Sequence, residues 1–204
     1  MLFLFILLAV IGTFGFNFTV VIPLVAEFVL KVGPQQFGLL TSAMGAGSLV
    51  AALVMAAVGR PGQKGLLLIA TAFVVVLAAV ALSSVYVVTL ALLFVLGAAG
   101  VSFSTTINTS LQVMVPDELR GRVMSIFFLL FAGSTPIGGF LTGFLGEHLG
   151  VRTALLLVAG VSAGGIVLAA AYRVRTRAGS GISPDGEHEQ VGTPGTVVAV
   201  PPGR

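Results

Sequence analysis

Cysteine and tryptophan are absent from this 204-residue chain, histidine occurs twice, and charged residues make up only 8% of it. Without cysteine there is no disulfide framework and no thiolate metal centre, and neither a metal-ligand set nor a cofactor motif is read. The shortage of charge excludes more. Soluble domains carry about 25% charged residues to cover a water-facing surface, whereas between Glu27 and Asp117 this chain offers only Lys31, Arg60 and Lys64. A water-soluble globule is excluded. The net charge of +3 does not point to nucleic acid, because the basic residues sit between apolar runs, where membrane orientation accounts for them. Enzyme readings fail for want of parts. His148 is expected in a loop and His188 in the tail, so no membrane-embedded serine–histidine dyad is available. A phosphate-binding glycine loop with lysine is also missing. A carrier-type Pro-x-acid-x-x-base run starts at Pro116 and Glu118 but reaches glycine at Gly121. The chain is read as not an enzyme.

What fills the chain instead is apolar: 57% hydrophobic residues and a mean hydropathy of +1.13. A helix needs roughly 20 apolar residues to cross a hydrocarbon core, and these runs lack the alternation of barrel strands. They predict an all-α membrane protein with six spans, at about 2–29, 37–58, 65–83, 86–113, 123–145 and 153–172. The first is read as a span rather than a cleaved signal, having no basic n-region and no small-residue cleavage site. Gly12, Gly15 and Pro23 interrupt it, and Pro136 interrupts the fifth. Residues 173–204, basic at first and then rich in Gly, Pro, Ser and Glu, are expected to be a disordered cytoplasmic tail.

Short-loop charges orient the bundle. With the N-terminus cytoplasmic, Arg60, Lys64, Arg120, Arg122, Arg173, Arg175 and Arg177 lie inside, against Lys31 and Arg152 outside. That bias puts both termini on the cytoplasmic side of a cell (plasma or inner) membrane. Spans three and six are almost purely apolar, with Thr71 and Ser162 as their central polar residues, while the other four carry many hydroxyls and amides. Like third and sixth spans predict two inverted three-helix repeats, the third helix of each facing lipid.

Ser104, Asn108 and Gln112 recur every fourth residue, on one face of span four, with Thr105 and Thr109 as a neighbouring stripe. Amides are costly in hydrocarbon unless bonded, and two readings stand: a substrate-cavity wall, or interhelical hydrogen bonds worth about 0.6 kcal/mol each. The same pair of readings applies to Asn17, in a span expected to bend, and to Ser134. Gly45, Gly47, Gly139 and Gly143 read as close-packing positions, the last two with Pro136 also as a flexing point. Arg120 and Arg122 serve either as plain cytoplasmic anchors or as a gate pairing with acids. Glu27 either snorkels or pairs with Lys31.

Val115-Pro-Asp-Glu-Leu-Arg-Gly-Arg-Val-Met-Ser125, then Gly133-Ser-Thr-Pro-Ile-Gly-Gly139 and Gly143, resembles the tenth-to-eleventh helix region of major facilitator superfamily transporters. Phe37-Gly-Leu-Leu-Thr-Ser-Ala-Met-Gly-Ala-Gly47 is similar to the eighth helix of the branch that holds the enterobactin exporter and the macrolide and drug efflux proteins. The resemblance covers residues 1 to about 172 and implies the last six of twelve facilitator helices. Gly59-Arg-Pro-Gly-Gln-Lys64 stands where the first half of the family has an acidic, basic and glycine-rich loop, and lacks its aspartate. The resemblance implies a small-molecule substrate, export by alternating access, and a partner beyond the lipid bilayer: a missing N-terminal six-helix half or a second copy. The alternative is a non-transporting six-helix subunit or scaffold.

Overall fold

The computed structural model describes residues 2–59 and 61–179, without the side chains of Leu2, Gln63 and 176–179. Among the described residues eight α-helices follow one another: α1 (Leu2–Gly15), α2 (Phe18–Leu24), α3 (Pro34–Val58), α4 (Gln63–Leu82), α5 (Tyr86–Met114), α6 (Asp117–Ala132), α7 (Thr135–Leu149) and α8 (Val151–Gly179). They make six helical stretches long and apolar enough to cross a membrane among the described residues: Phe3–Val29, Pro34–Val58, Lys64–Leu82, Tyr86–Met114, Asp117–Leu149 and Val151–Arg175. Span one contains α1, α2 and a π-helical turn Val25–Val29, and span five contains α6 and α7.

The spans pack in a row that closes on itself only partly. Span two lies along span four, span four on span three, span three on span six, span six on span one, and span one on both halves of span five. Exchanging spans one to three for spans four to six maps two-on-four onto five-on-one and three-on-six onto itself; span five also packs on span six, a contact that span two does not match on span three. Three helices per unit leave the second unit starting from the opposite side, so the repeats are inverted.

Within the six-helix bundle, spans three and six are more buried than spans two and five: 39% of the most apolar stretch of each lies inside, against 17% and 11%. Protein interior and lipid tail are equally apolar, so an apolar helix suits either. The small-residue and polar spans are left at the two ends of the row. Thr71 is exposed, but Ser162 is fully buried and its Oγ has no hydrogen-bond partner among the described residues. Ser162→Ala therefore removes an unmet polar group, and the unfolding midpoint in detergent should rise by roughly 2–4 °C, about 1 kcal/mol. A fall of that size would show that the hydroxyl has a partner.

Boundaries also move. The segment 116–122, expected as a loop, is helical from Asp117, with Pro116 at the N-cap and Asp117 and Glu118 in the first turn, where they complement the helix dipole. Span six continues past Tyr172 to Gly179. Arginines in its last turns suit a helix C-terminus, and the Arg173 guanidinium lies 5.9 Å from the centre of the Phe3 ring. The rest of the expected tail, 180–204, lies outside the described residues, as does Arg60. His148 belongs to the last turn of α7, its Nδ1 2.9 Å from the Phe144 carbonyl, rather than to a loop. Among the described residues no ion pair joins Glu27 to Lys31. Lys31 instead takes a left-handed φ of 51° that ends span one, with the Val32 N–H donating to the Ala26 carbonyl at 3.0 Å.

Glycines set the tightest crossings. A Cβ on Gly47 would lie 1.9 Å from the Phe94 carbonyl oxygen, and one on Gly97 2.1 Å from that of Met44. Spans two and four thus interlock backbone to backbone, as small residues in a membrane allow.

Candidate functional site

Span one breaks at Phe16 and Asn17, the residues between α1 and α2. Asn17 supplies what the broken helix lacks. Its Nδ2 donates to the carbonyls of Thr13 (2.7 Å) and Phe14 (3.2 Å), groups that a continuing helix would have satisfied with backbone N–H. Two carbonyls on that side fix the amide orientation, since an oxygen there would face oxygen. The consequence is an Asn17 Oδ1 that is fully buried and has no partner among the described residues, at a cost of about 1–3 kcal/mol.

Phe16 fills the space that the break opens. Its ring stacks on Phe73 (5.4 Å) and meets Phe131 edge-on (5.0 Å), with Phe18 and Phe103 at 5.5 and 6.1 Å. One aromatic cluster therefore joins spans one, three, four and five, and nothing in the spacing of these phenylalanines signals it.

Span five breaks at the same place, at Gly133 and Ser134, with Pro136 in the first turn of α7 rather than at the break itself. Proline fits there because the first-turn N–H has no intrahelical acceptor. The hydroxyls of Ser134 and Thr135 donate to the Leu130 and Phe131 carbonyls at the end of α6. The two broken spans cross at Gly138, where a Cβ would sit 1.6 Å from the Thr13 carbonyl oxygen and 2.5 Å from Asn17 Nδ2. The close approach thus falls one residue before Gly139, whose Cβ would make ordinary contacts at 3.5 and 3.8 Å. Gly143 and Gly45 face open space.

The other polar candidates form a separate surface. Phe103, Thr106, Ile107 and Leu111 make the buried face of α5, and Thr105, Asn108, Thr109 and Gln112 lie on the far side of the helix, half-buried or exposed. Gln112 Nε2 donates to Asn108 Oδ1. At the base of the stripe Arg120 pairs with Asp117 at 2.6 Å, and its Nε donates to the Gln112 carbonyl at 3.3 Å. Arg120 therefore ties the start of span five to the end of span four, and Arg122, two residues on, is exposed. Asn17 and Ser134 lie at the crossing of the broken spans, not in this stripe. Among the described residues no cluster of three or more His, Cys, Asp or Glu side chains forms.

Six apolar helices in two matched triplets, with a polar stripe on a side the bundle leaves open, describe a multi-pass membrane protein of the major facilitator type. More narrowly, the family of transmembrane secretion effectors (MFS_3) matches residues 4–190, and the chain belongs to it. No curated protein and no solved structure matches the chain. Membership makes the chain a transporter-type protein.

Proposed function

We propose that this chain forms one six-helix half of a secondary transporter that exports small amphipathic compounds, of drug or siderophore type, by alternating access. The other half is a second six-helix bundle, separate or a second copy. Both chain termini face the cytoplasm. The observation that carries the reading is the stripe of Thr105, Asn108, Thr109 and Gln112 on the side of span four turned away from the bundle core. Exposed to lipid, the amide groups of Asn108 and Gln112 that their mutual hydrogen bond leaves unmet cost up to several kcal/mol each. Facing a second bundle across a wet cavity, they cost little and offer a substrate both donors and acceptors.

In the assembled transporter, Asn108→Leu should lower efflux of an amphipathic dye about tenfold, the worth of one good hydrogen bond to a bound molecule. The amount of protein in the membrane should hold, because an interhelical bond contributes only about 0.6 kcal/mol. Unchanged efflux at unchanged abundance would remove Asn108 from the cavity wall. Equal losses of efflux and abundance would make it a structural residue.

A further inference from the structure

At the opposite end of the bundle from Arg120 and Arg122, a cavity of about 900 Å³ opens between the end of span one and the junction of spans five and six. Its size is within the range of small-molecule sites, roughly 300–1,000 Å³. Leu24, Phe28 and Val29 of span one form an apolar wall. The opposite wall includes Gly143, where a Cβ would meet nothing within 4 Å, and Gly146, whose Cβ would touch Leu24 at 3.4 Å.

Two opposite charges line this one cavity, Glu147 and Arg152. Among the described residues they form no ion pair with each other; Arg152 Nη2 donates a hydrogen bond to the Ser84 hydroxyl. Glu147 ends one span and Arg152 begins the next, so both sit at headgroup level, where the hydrocarbon stops. An acid and a base without a charged partner, the base bonded to the Ser84 hydroxyl, beside an apolar wall complement a molecule with both signs of charge on a short head and an apolar chain below it.

We propose that this cavity is a binding site for a zwitterionic aminophospholipid of ethanolamine type. Its phosphate lies against Arg152 and the first N–H groups of α8, its ammonium donates to Glu147, and the first part of one acyl chain lies along Leu24 and Phe28. A carboxylate favours a primary ammonium over a quaternary one because only the former donates hydrogen bonds. The site goes beyond the export reading and does not depend on it, since it needs only that the bundle is embedded in a bilayer.

The test uses the full chain, with any subunit that copurifies, delipidated in detergent. It is titrated with phosphatidylethanolamine, phosphatidylcholine or phosphatidylglycerol of matched acyl chains, and bound lipid is counted by native mass spectrometry. Phosphatidylethanolamine should bind about tenfold more tightly than the other two, the difference made by one charge-assisted hydrogen bond. Glu147→Gln should bring it down to the phosphatidylcholine level. Arg152→Gln should weaken all three. Gly143→Leu fills space that is already empty, so it should abolish binding while helicity and the unfolding midpoint stay unchanged. Lys31→Gln, a charge at the same end outside the cavity, should change nothing.

Phosphatidylglycerol bound as tightly as phosphatidylethanolamine would overturn the assignment, as would lipid selectivity indifferent to Glu147 and Gly143. So would a lower unfolding midpoint of both single charge variants in lipid-free detergent, the sign of an internal ion pair. Glycerophosphoethanolamine without acyl chains should not compete. If it competes as well as the lipid, the site takes a free solute and the lipid proposal fails.

Discussion

Gly138→Ala should lower the unfolding midpoint in detergent by at least roughly 4–8 °C, or leave no folded bundle to measure. The added methyl would stand 1.6 Å from the Thr13 carbonyl oxygen and 2.5 Å from Asn17 Nδ2. Both are held: Thr13 O is backbone, and Asn17 Nδ2 is fixed by its bonds to Thr13 O and Phe14 O. Relief requires spans one and five to separate, and overpacking of this kind costs about 3 kcal/mol or more. Against that, alanine gains at most about 1 kcal/mol of helix propensity over glycine. The remainder, at roughly 2–4 °C per kcal/mol for a chain of this size, gives the expected drop. Gly139→Ala and Gly143→Ala serve as neighbours on the same helix, and both should be near neutral, since one makes only ordinary contacts and the other none. Equal midpoints for all three variants would mean that the broken spans do not cross at Gly138.

That contrast also marks where the sequence stops being informative. The six spans are legible because length and hydropathy are strong local signals, and a bend in span one is legible from Gly12, Gly15 and Pro23, although the break falls at Phe16 and Asn17 and Pro23 lies inside α2. Which glycine carries a crossing is not. Gly139 and Gly143 have the expected four-residue spacing, yet Gly138 makes the contact, because the helix restarts at Thr135 after the break and its facing is set anew. Gly97 shows no motif at all and still meets Met44 backbone. Facing is likewise hidden for apolar helices. Thr71 and Ser162 look alike in sequence, but one is exposed and the other fully buried, because hydropathy does not distinguish lipid from packed side chains. The span-four stripe is easier to read, since polar residues at helical spacing must share a face. Its connection to Arg120 became visible only when 117–132 proved helical and brought the guanidinium back to the Gln112 carbonyl.

The bundle alone, reconstituted in vesicles, should show no saturable transport, and co-expression with a second six-helix bundle should restore it. The reason is the uneven cover of the spans. Spans two and five are only 17% and 11% buried inside the bundle, and they hold the two ends of the packing row. Span two presents Gly38, Thr41, Ser42 and Gly45 outward, with open space beyond both glycines. Small residues on an uncovered face let another helix approach closely, and the span-four stripe lacks an opposite wall. Gly45→Leu separates docking from folding: its side chain enters empty space, so the isolated bundle should keep its helicity and midpoint. The same change should block the close approach of a partner helix and cut restored transport at least about tenfold, the consequence of losing roughly 1.4 kcal/mol of association. Gly47→Leu, at the crossing with span four, should instead fail before assembly, because the Phe94 carbonyl stands 1.9 Å from its Cβ. Saturable transport by a stable monomer would refute the half-transporter reading. Transport by a homodimer would keep the mechanism and make the partner a second copy, in which case Gly45→Leu should dissociate the dimer as well as silence it.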